Sequence, residues 1–348
     1  MVRVGIAGIG FMGMIHYLAY EKARGVKTHA IQSSNSKKRS GDWRGIQGNF
    51  GPSGAQMELG KVRAYVEFDE LLSDPAIDVV DLCTPPGTHA EMAIAALRSG
   101  KHVFCEKPIA LTTRDAKRMV QAAQKSGKQL MIGHVLPFFP EFSFARKAIV
   151  SGKYGRLLGA HFKRIISDPL WIKDFYNPNT VGGPLLDLHI HDAHFIRLVH
   201  GLPKAVSSAG RMRGEVVEFV ESRFEYEDPN ILISATSGVI NQQGRAFAHG
   251  FEVHLEKATL LFDFAVIGGQ PRLLMPLTVL NHQGKVVEPK LAPGDPISSF
   301  VAELTEMARA VRTDTLSEIL DGELALDALA MCHAETTSVI KRKRVQLR

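Results

Sequence analysis

The feature that most constrains this chain is a short apolar strand pattern, Val2–Ala7, that runs into Gly8-Ile9-Gly10-Phe11-Met12-Gly13 and then into a helical pattern from about Met12 to Ala23. Glycines so spaced have separate uses. Gly8 permits the tight turn, Gly10 lets a ligand approach the backbone, and Gly13 lets the helix pack closely on the strand. A helix start also presents N–H groups without intrahelical partners, which suit an anion. A strand–glycine turn–helix of this form is expected to seat a dinucleotide pyrophosphate over Gly8, Gly10, Phe11, Met12 and Gly13.

The alternation continues. Strand patterns at Val26–Gln32, Val62–Val66, Val79–Cys83, His102–Cys105 and Gln129–Ile132 are separated by helical patterns at Phe68–Leu72, Thr88–Ser99 and Arg114–Ser126. Residues 40–60 carry no clear period and read as a loop or a short helix. Repeated β-α-β units imply a parallel sheet covered by helices, with ligands at the carboxyl ends of its strands. After a helix at about Glu141–Ser151 the pattern changes to consecutive strands, Leu157–Ile166, Ala205–Arg213, Val217–Tyr226, Ile231–Val239, Ala246–Leu255 and Thr259–Phe264. Short turns such as Asp228-Pro229-Asn230 join some of them, which argues for antiparallel pairing. Helical patterns occupy Leu185–His200, Ser298–Arg312 and Gly322–Ile340.

The expected fold is therefore an α/β Rossmann domain over 1–133. An α+β domain over 134–348 follows, with a large, mainly antiparallel open sheet, and the C-terminal helices pack back on the first domain. A chain of 348 residues is long enough for two such domains. Its 45% apolar and 22% charged content is ordinary for a globular protein. No run approaches the ~20 apolar residues of a membrane helix. The strand pattern starts at once, leaving no room for a signal peptide, so a cytoplasmic location is expected. Cys83, Cys105 and Cys332 read as small buried hydrophobes without a redox role. The net charge of +6 comes partly from the tail Lys341-Arg342-Lys343-Arg344 with Arg348. No nucleic-acid-binding signature accompanies it, so neither nucleic acid nor membrane is expected as a partner.

A carboxylate about 20 residues past the glycine loop grips the ribose 2′-hydroxyl of NAD. The corresponding stretch here, Ser33-Ser34-Asn35-Ser36-Lys37-Lys38-Arg39, has none. Hydroxyls and cations at Ser33, Ser34 and Lys38 would accept a 2′-phosphate, so NADP is favoured over NAD. Cys83-Thr84-Pro85-Pro86-Gly87-Thr88-His89 and Glu106-Lys107-Pro108 end the fourth and fifth strands, where the nicotinamide half of the cofactor would lie. Thr84, Pro85, His89, Glu106 and Lys107 thus join the candidate cofactor residues. Thr88 with Glu91 has the form of a capping box. Pro108 restrains the backbone after Lys107 and makes a cis peptide accessible there. In Gly182-Gly183-Pro184-Leu185-Leu186-Asp187-Leu188-His189-Ile190-His191, helical spacing sets Asp187 and His191 on one face, with His194 near that stripe and His189 opposite. A carboxylate one turn from an imidazole can orient and tune it for proton transfer. Asp187, His191 and His194 are also a conceivable metal set, although no metal is expected.

The string Cys83–Thr113 resembles the Gfo/Idh/MocA oxidoreductase family, which includes glucose-fructose oxidoreductase and inositol dehydrogenase. The glycine loop, E-K-P, the later G-G-x-x-x-D-x-x-x-H and the Ser338–Leu347 tail match in order. The resemblance implies that Lys107 binds and polarises the reacting oxygen, that His191 is the acid/base, and that Asp187 supports it and contacts substrate. It also implies a homodimer or homotetramer formed through the open sheet face. Two departures stand out: the missing acidic residue after the second strand, and an apolar His134–Pro140 where many members carry arginine. His134 and Trp171 are candidate substrate contacts, and the aromatics of Asp168–Thr180 could stack on a sugar or anchor the loop. The expected function is hydride transfer to or from a hydroxyl or carbonyl carbon of a sugar, polyol or related cyclic compound, dependent on NADP(H) or NAD(H). A non-enzymatic NADP sensor or scaffold, and a glycosidase using bound NAD, are the alternatives.

Overall fold

The computed structural model describes residues 1–48, 50–291 and 297–347. Arg348 of the basic tail lies outside them. The chain divides into two units, Met1–Phe138 with Pro293–Leu326, and Phe139–Ala292 with Asp327–Arg348.

The first unit is built on a six-stranded parallel sheet of β1 (Val2–Ala7), β2 (Val26–Gln32), β3 (Arg63–Tyr65), β4 (Val79–Leu82), β5 (His102–Glu106) and β6 (Leu130–Gly133), in the order β3-β2-β1-β4-β5-β6. The strand order reverses between β1 and β4, which creates a crevice at their carboxyl ends. Val4, Ile6, Val79, Val80, Leu82, Val103 and Phe104 are fully buried, because helices cover both faces of a parallel sheet. Those helices are α1 (Phe11–Tyr20), α2 (Ser36–Arg39), α3 (Phe68–Ser73), α4 (His89–Arg98) and α5 (Thr113–Ser126). The short α2 falls where the sequence showed only the polar run Ser33–Arg39. Its Asn35 cap, accepting a bond from the Lys38 amide, decides it. The Thr88–Glu91 capping box does not form. Thr88 donates instead to Thr84 Oγ1 and the Pro85 carbonyl, both at 2.8 Å, because a single 3-10 turn leads into α4.

In the second unit α6 (Pro140–Val150) precedes β7 (Leu157–Ser167). After a long loop come α7 (Ile190–His200) and strands β8 (Ala205–Arg213), β9 (Val216–Glu225), β10 (Leu232–Ile240), β11 (Arg245–Leu255), β12 (Ala258–Ile267), β13 (Gln270–Asn281) and β14 (Val286–Val287). β15 (Val345–Gln346) completes the sheet order β14-β13-β12-β11-β7-β10-β9-β8-β15. Pairing is antiparallel except for β7 with β10, which run parallel, so the sheet is mixed. β9 alternates buried Val220, Ser222 and Phe224 with exposed Glu221 and Arg223, leaving one sheet face accessible. Helix α8 (Ser298–Thr313) belongs to the first unit and packs on α1, while α9 (Gly322–Lys341) contributes residues to both units. No described helix is long and apolar enough to cross a membrane.

Candidate functional site

At the end of β1 the backbone turns at Gly8, with φ +92°. A Cβ there would stand 2.7 Å from the Cys83 carbonyl oxygen, and one at Gly13 would stand 2.1 Å from the Gly8 oxygen. No side chain fits at either position. A Cβ at Gly10 would meet nothing within 4 Å. Gly10 caps α1, no side chain bonds the cap, and the first turn carries no acidic residue. Open space over uncapped helix N–H groups fits a dinucleotide pyrophosphate.

The end of β2 is more closed than its residue types suggest. Ser33 is buried and its Oγ accepts the Asn35 amide at 3.3 Å. Arg39 turns back to donate to the Ser33 carbonyl at 2.6 Å. Ser34 and Lys37 are exposed and Lys38 is half-buried.

The loops after β4 and β5 are tied together by His89, which is fully buried. Its Nδ1 faces the Pro108 carbonyl at 2.9 Å and its Nε2 the Thr84 carbonyl at 2.8 Å. Burial holds its pKa below the ordinary value, against the pull of those carbonyls. His89 thus braces the two loops, with Thr84 half-buried and Pro85 exposed beside it. The Lys107–Pro108 peptide is cis. Glu106 is buried, with Oε1 2.9 Å from His16 Nε2. Its Oε2 accepts the Lys107 amide at 3.2 Å. Lys107 itself is half-buried, and His134 is fully buried.

In the second unit the polar segment begins with a π turn, Leu185–His189, that passes into α7. The sequence spacing implied regular α-helix from 185. The π turn closes its bonds one residue further along than an α-turn, and Asp187 and His191 are both left half-buried. From Gly183 to Ile196 every residue is buried except Asp187 and His191. His194 is fully buried. His189 points to Glu335 of α9, with Nε2 at 2.9 and 3.1 Å from its carboxylate oxygens. Burial works against charge on His189, but Glu335 outweighs it and the pKa is raised.

Asp192 was not singled out in the sequence. Its two oxygens accept from Arg164 on β7 at 2.7 and 3.0 Å, a buried bidentate pair. Beside it, burial and then Arg164 push the His249 pKa well down. The loop before the π turn is anchored by Phe175, packed with Ile166, Leu188 and Val239. Tyr176 donates to Asp168 at 2.9 Å, and Arg213 pairs with Asp168 at 2.6 Å while lying 3.9 Å over the Tyr176 ring. Phe175 and Tyr176 are therefore loop anchors, whereas Trp171 is 58% exposed.

Among the described residues, the side chains close enough to share a metal ion are His16, Asp81 and Cys83, not Asp187 with His191 and His194. Direct contacts already occupy that trio: His16 Nδ1 is 2.9 Å from Asp81 and 3.2 Å from Cys83 Sγ. All three cysteines are free. Cys105 and Cys332 are buried, but Cys83 is half-buried and engaged with polar groups rather than packed as a plain hydrophobe.

A 3-2-1-4-5-6 parallel sheet with this glycine turn defines a dinucleotide-binding Rossmann domain, here followed by a mixed-sheet domain. Residues 2–134 match an oxidoreductase family described as having an NAD-binding Rossmann fold, and residues 142–261 match the GFO/IDH/MocA C-terminal domain. Levoglucosan dehydrogenase of Pseudarthrobacter phenanthrenivorans is 30% identical over 303 residues, 76% of this chain and 74% of that relative. The 1,5-anhydro-D-fructose reductase of Ensifer adhaerens is 33% identical over 216 residues, 59% of this chain and 62% of the reductase. The match thus spans somewhat under two thirds of that reductase. A levoglucosan dehydrogenase structure in complex with NADH and levoglucosan superimposes with a TM-score of 0.78 at 22% identity, over 99% of both chains. The chain belongs to the Gfo/Idh/MocA family of oxidoreductases.

Proposed function

We propose that this protein is an NAD(P)-dependent oxidoreductase that interconverts a secondary alcohol and a carbonyl on a sugar, polyol or related cyclic compound. The observation that carries this reading is the exposure pattern of Gly183–Ile196, where only Asp187 and His191 reach the surface of an otherwise buried segment. Burying a chain while keeping one carboxylate and one imidazole accessible is the arrangement proton transfer needs. His191 exchanges the hydroxyl proton, Asp187 orients it and contacts substrate, and the Lys107 ammonium binds and polarises the reacting oxygen. Gly8, Gly10, Phe11, Met12 and Gly13 hold the pyrophosphate, and Thr84, Pro85 and the Glu106–Lys107 segment border the nicotinamide half. The bound cofactor accepts or donates the hydride.

NADP is the favoured cofactor. The stretch Ser33–Ser40 has no carboxylate. It presents Ser34, Lys37 and part of Lys38, and these accept a 2′-phosphate. Trp171 is the proposed aromatic contact for a sugar ring. The accessible face of the second unit's sheet is the proposed contact between copies in a dimer or tetramer.

The test is a paired fluorescence titration with NADH and NADPH, followed by a turnover assay over a sugar and polyol panel. Tighter NADPH binding and turnover of at least one panel compound are expected. Equal affinity would remove the NADP assignment. Cofactor binding without turnover would favour a sensor, and redox-neutral cleavage of a glycoside would favour a glycosidase.

A further inference from the structure

Buried ionisable groups are costly unless they are paired, and the first unit gathers several in one pocket. His16 on α1, Asp81 on β4, Glu106 on β5 and Glu303 on α8 are each 5% exposed or less. Asp81 Oδ2 lies 2.9 Å from His16 Nδ1 and also accepts from the Tyr20 hydroxyl at 2.8 Å. Glu106 Oε1 lies 2.9 Å from the other ring nitrogen, Nε2. The Cys83 thiol lies 3.5 Å from Asp81 Oδ1. The Phe104 and Phe300 rings close in at 5.6 and 6.1 Å from the imidazole.

Proton counting then decides the state of the ring. A neutral imidazole has one N–H and one lone pair. With a carboxylate at each nitrogen, the neutral ring would aim its lone pair at an anion. The imidazolium instead donates to Asp81 through Nδ1–H and sets its positively charged Nε2 edge 2.9 Å from Glu106 Oε1, a charge contact rather than a hydrogen bond. The remaining titratable neighbours are Tyr20, Cys83, Cys105 and Glu303, and burial raises the pKa of each, which favours its neutral form. Burial opposes charge on His16 as well, but the Asp81 carboxylate 2.9 Å from Nδ1 pulls the other way, and its pKa is raised above the ordinary value.

The pocket lies beneath groups already assigned a role. Its histidine sits on the helix that the glycine turn opens, Asp81 lies within β4, and Glu106 ends β5. Glu106 reaches His16 with one oxygen and accepts the Lys107 amide with the other. We infer that His16 is a positioning residue, a buried imidazolium that fixes the Glu106 carboxylate between itself and the Lys107 amide and so sets where Lys107 is held. The kinetic consequence rests on the proposed role of Lys107, but the state of the ring does not.

The experiment is nitrogen-15 NMR of the histidine rings in the full-length, ligand-free protein. A His16→Gln variant assigns the His16 signals. At pH 8, where a free histidine is almost entirely neutral, both His16 nitrogens are expected to carry protons, with no titration between pH 6 and 9. A neutral single tautomer at pH 8 would overturn the inference whether or not any sugar is turned over. Should His16→Gln fail to fold, Asp81→Asn gives the second reading. It is expected to bring the His16 titration into the pH 6–9 window, and a ring unaffected by the loss of that anion would equally overturn the inference. In the assay, His16→Gln is expected to lower kcat at least tenfold with NADPH affinity within threefold. An unchanged kcat would remove the link to Lys107.

Discussion

In the first unit the cofactor loop is shaped by atoms that are missing. Gly8 and Gly13 leave no room for a Cβ, and Gly10 leaves open space over the helix start. In the second unit Asp187 and His191 are held by atoms that are present and charged. Arg164–Asp192 and His189–Glu335 pin the segment from below, so that these two residues alone stay accessible. The difference teaches that the units should fail differently. The glycine turn should tolerate loss of nearby side chains but not gain of a methyl group. The helix should tolerate surface changes but not the loss of one member of a buried pair.

The largest expected effect lies on Lys107. Lys107→Ala should reduce turnover by about 10³-fold, within the range for removal of one electrostatic or acid–base group, while NADPH affinity by fluorescence titration stays within threefold. Near-normal turnover would remove Lys107 from the chemistry. Next comes Arg164→Met, which leaves Asp192 as an unpaired buried anion. A loss of about 3–5 kcal/mol in denaturant unfolding is expected, and Arg164→Met with Asp192→Asn should recover much of it. If the double variant is no better, burial of charge is not what the pair compensates.

The comparison sharpens at the glycines. Gly13→Ala, facing the Gly8 carbonyl at 2.1 Å, should lower both melting temperature and cofactor affinity. Gly10→Ala should leave the melting temperature unchanged and weaken cofactor binding roughly tenfold, about 1.4 kcal/mol, because its methyl enters only the ligand's space. Equal melting losses in both variants would contradict this division.

The smallest effect is at Glu303. Burial, then Glu106, raises its pKa well above the ordinary carboxyl value. A raised carboxyl contributes stability that is present below the unfolded pKa and is lost as pH rises toward the folded one. Glu303→Gln, which cannot ionise, should therefore match the parent near pH 4 and exceed it increasingly toward pH 8. Melting curves across that range check the sign.

Strands such as Val26–Gln32 and Ala205–Arg213 were legible from the sequence to the residue, because their apolar pattern and flanking turns agree. β13 was not, since Pro271 and Pro276 interrupt its pattern and proline normally argues against a strand. Asp187 and His191 could be picked out as candidates because their spacing is a local property of the sequence. The buried partners of that segment were not: Asp192 meets Arg164 across 28 residues and His189 meets Glu335 across 146. His16 read as part of an amphipathic helix, and nothing local marks it as the bridge between Asp81 and Glu106.

By itself the sequence determined the βαβ alternation of the first third, the glycine turn and the E-K-P strand end, and it marked Asp187 and His191 as candidates. These are local properties of period, turn chemistry and spacing. Tertiary structure alone decided which ionisable groups are buried and which partner each has. Desolvation and proton sharing depend on what surrounds a side chain, and its surroundings come from distant parts of the chain. That is why the buried partners of Glu106 and His89, such as His16 and the Pro108 carbonyl, could not be read from the sequence.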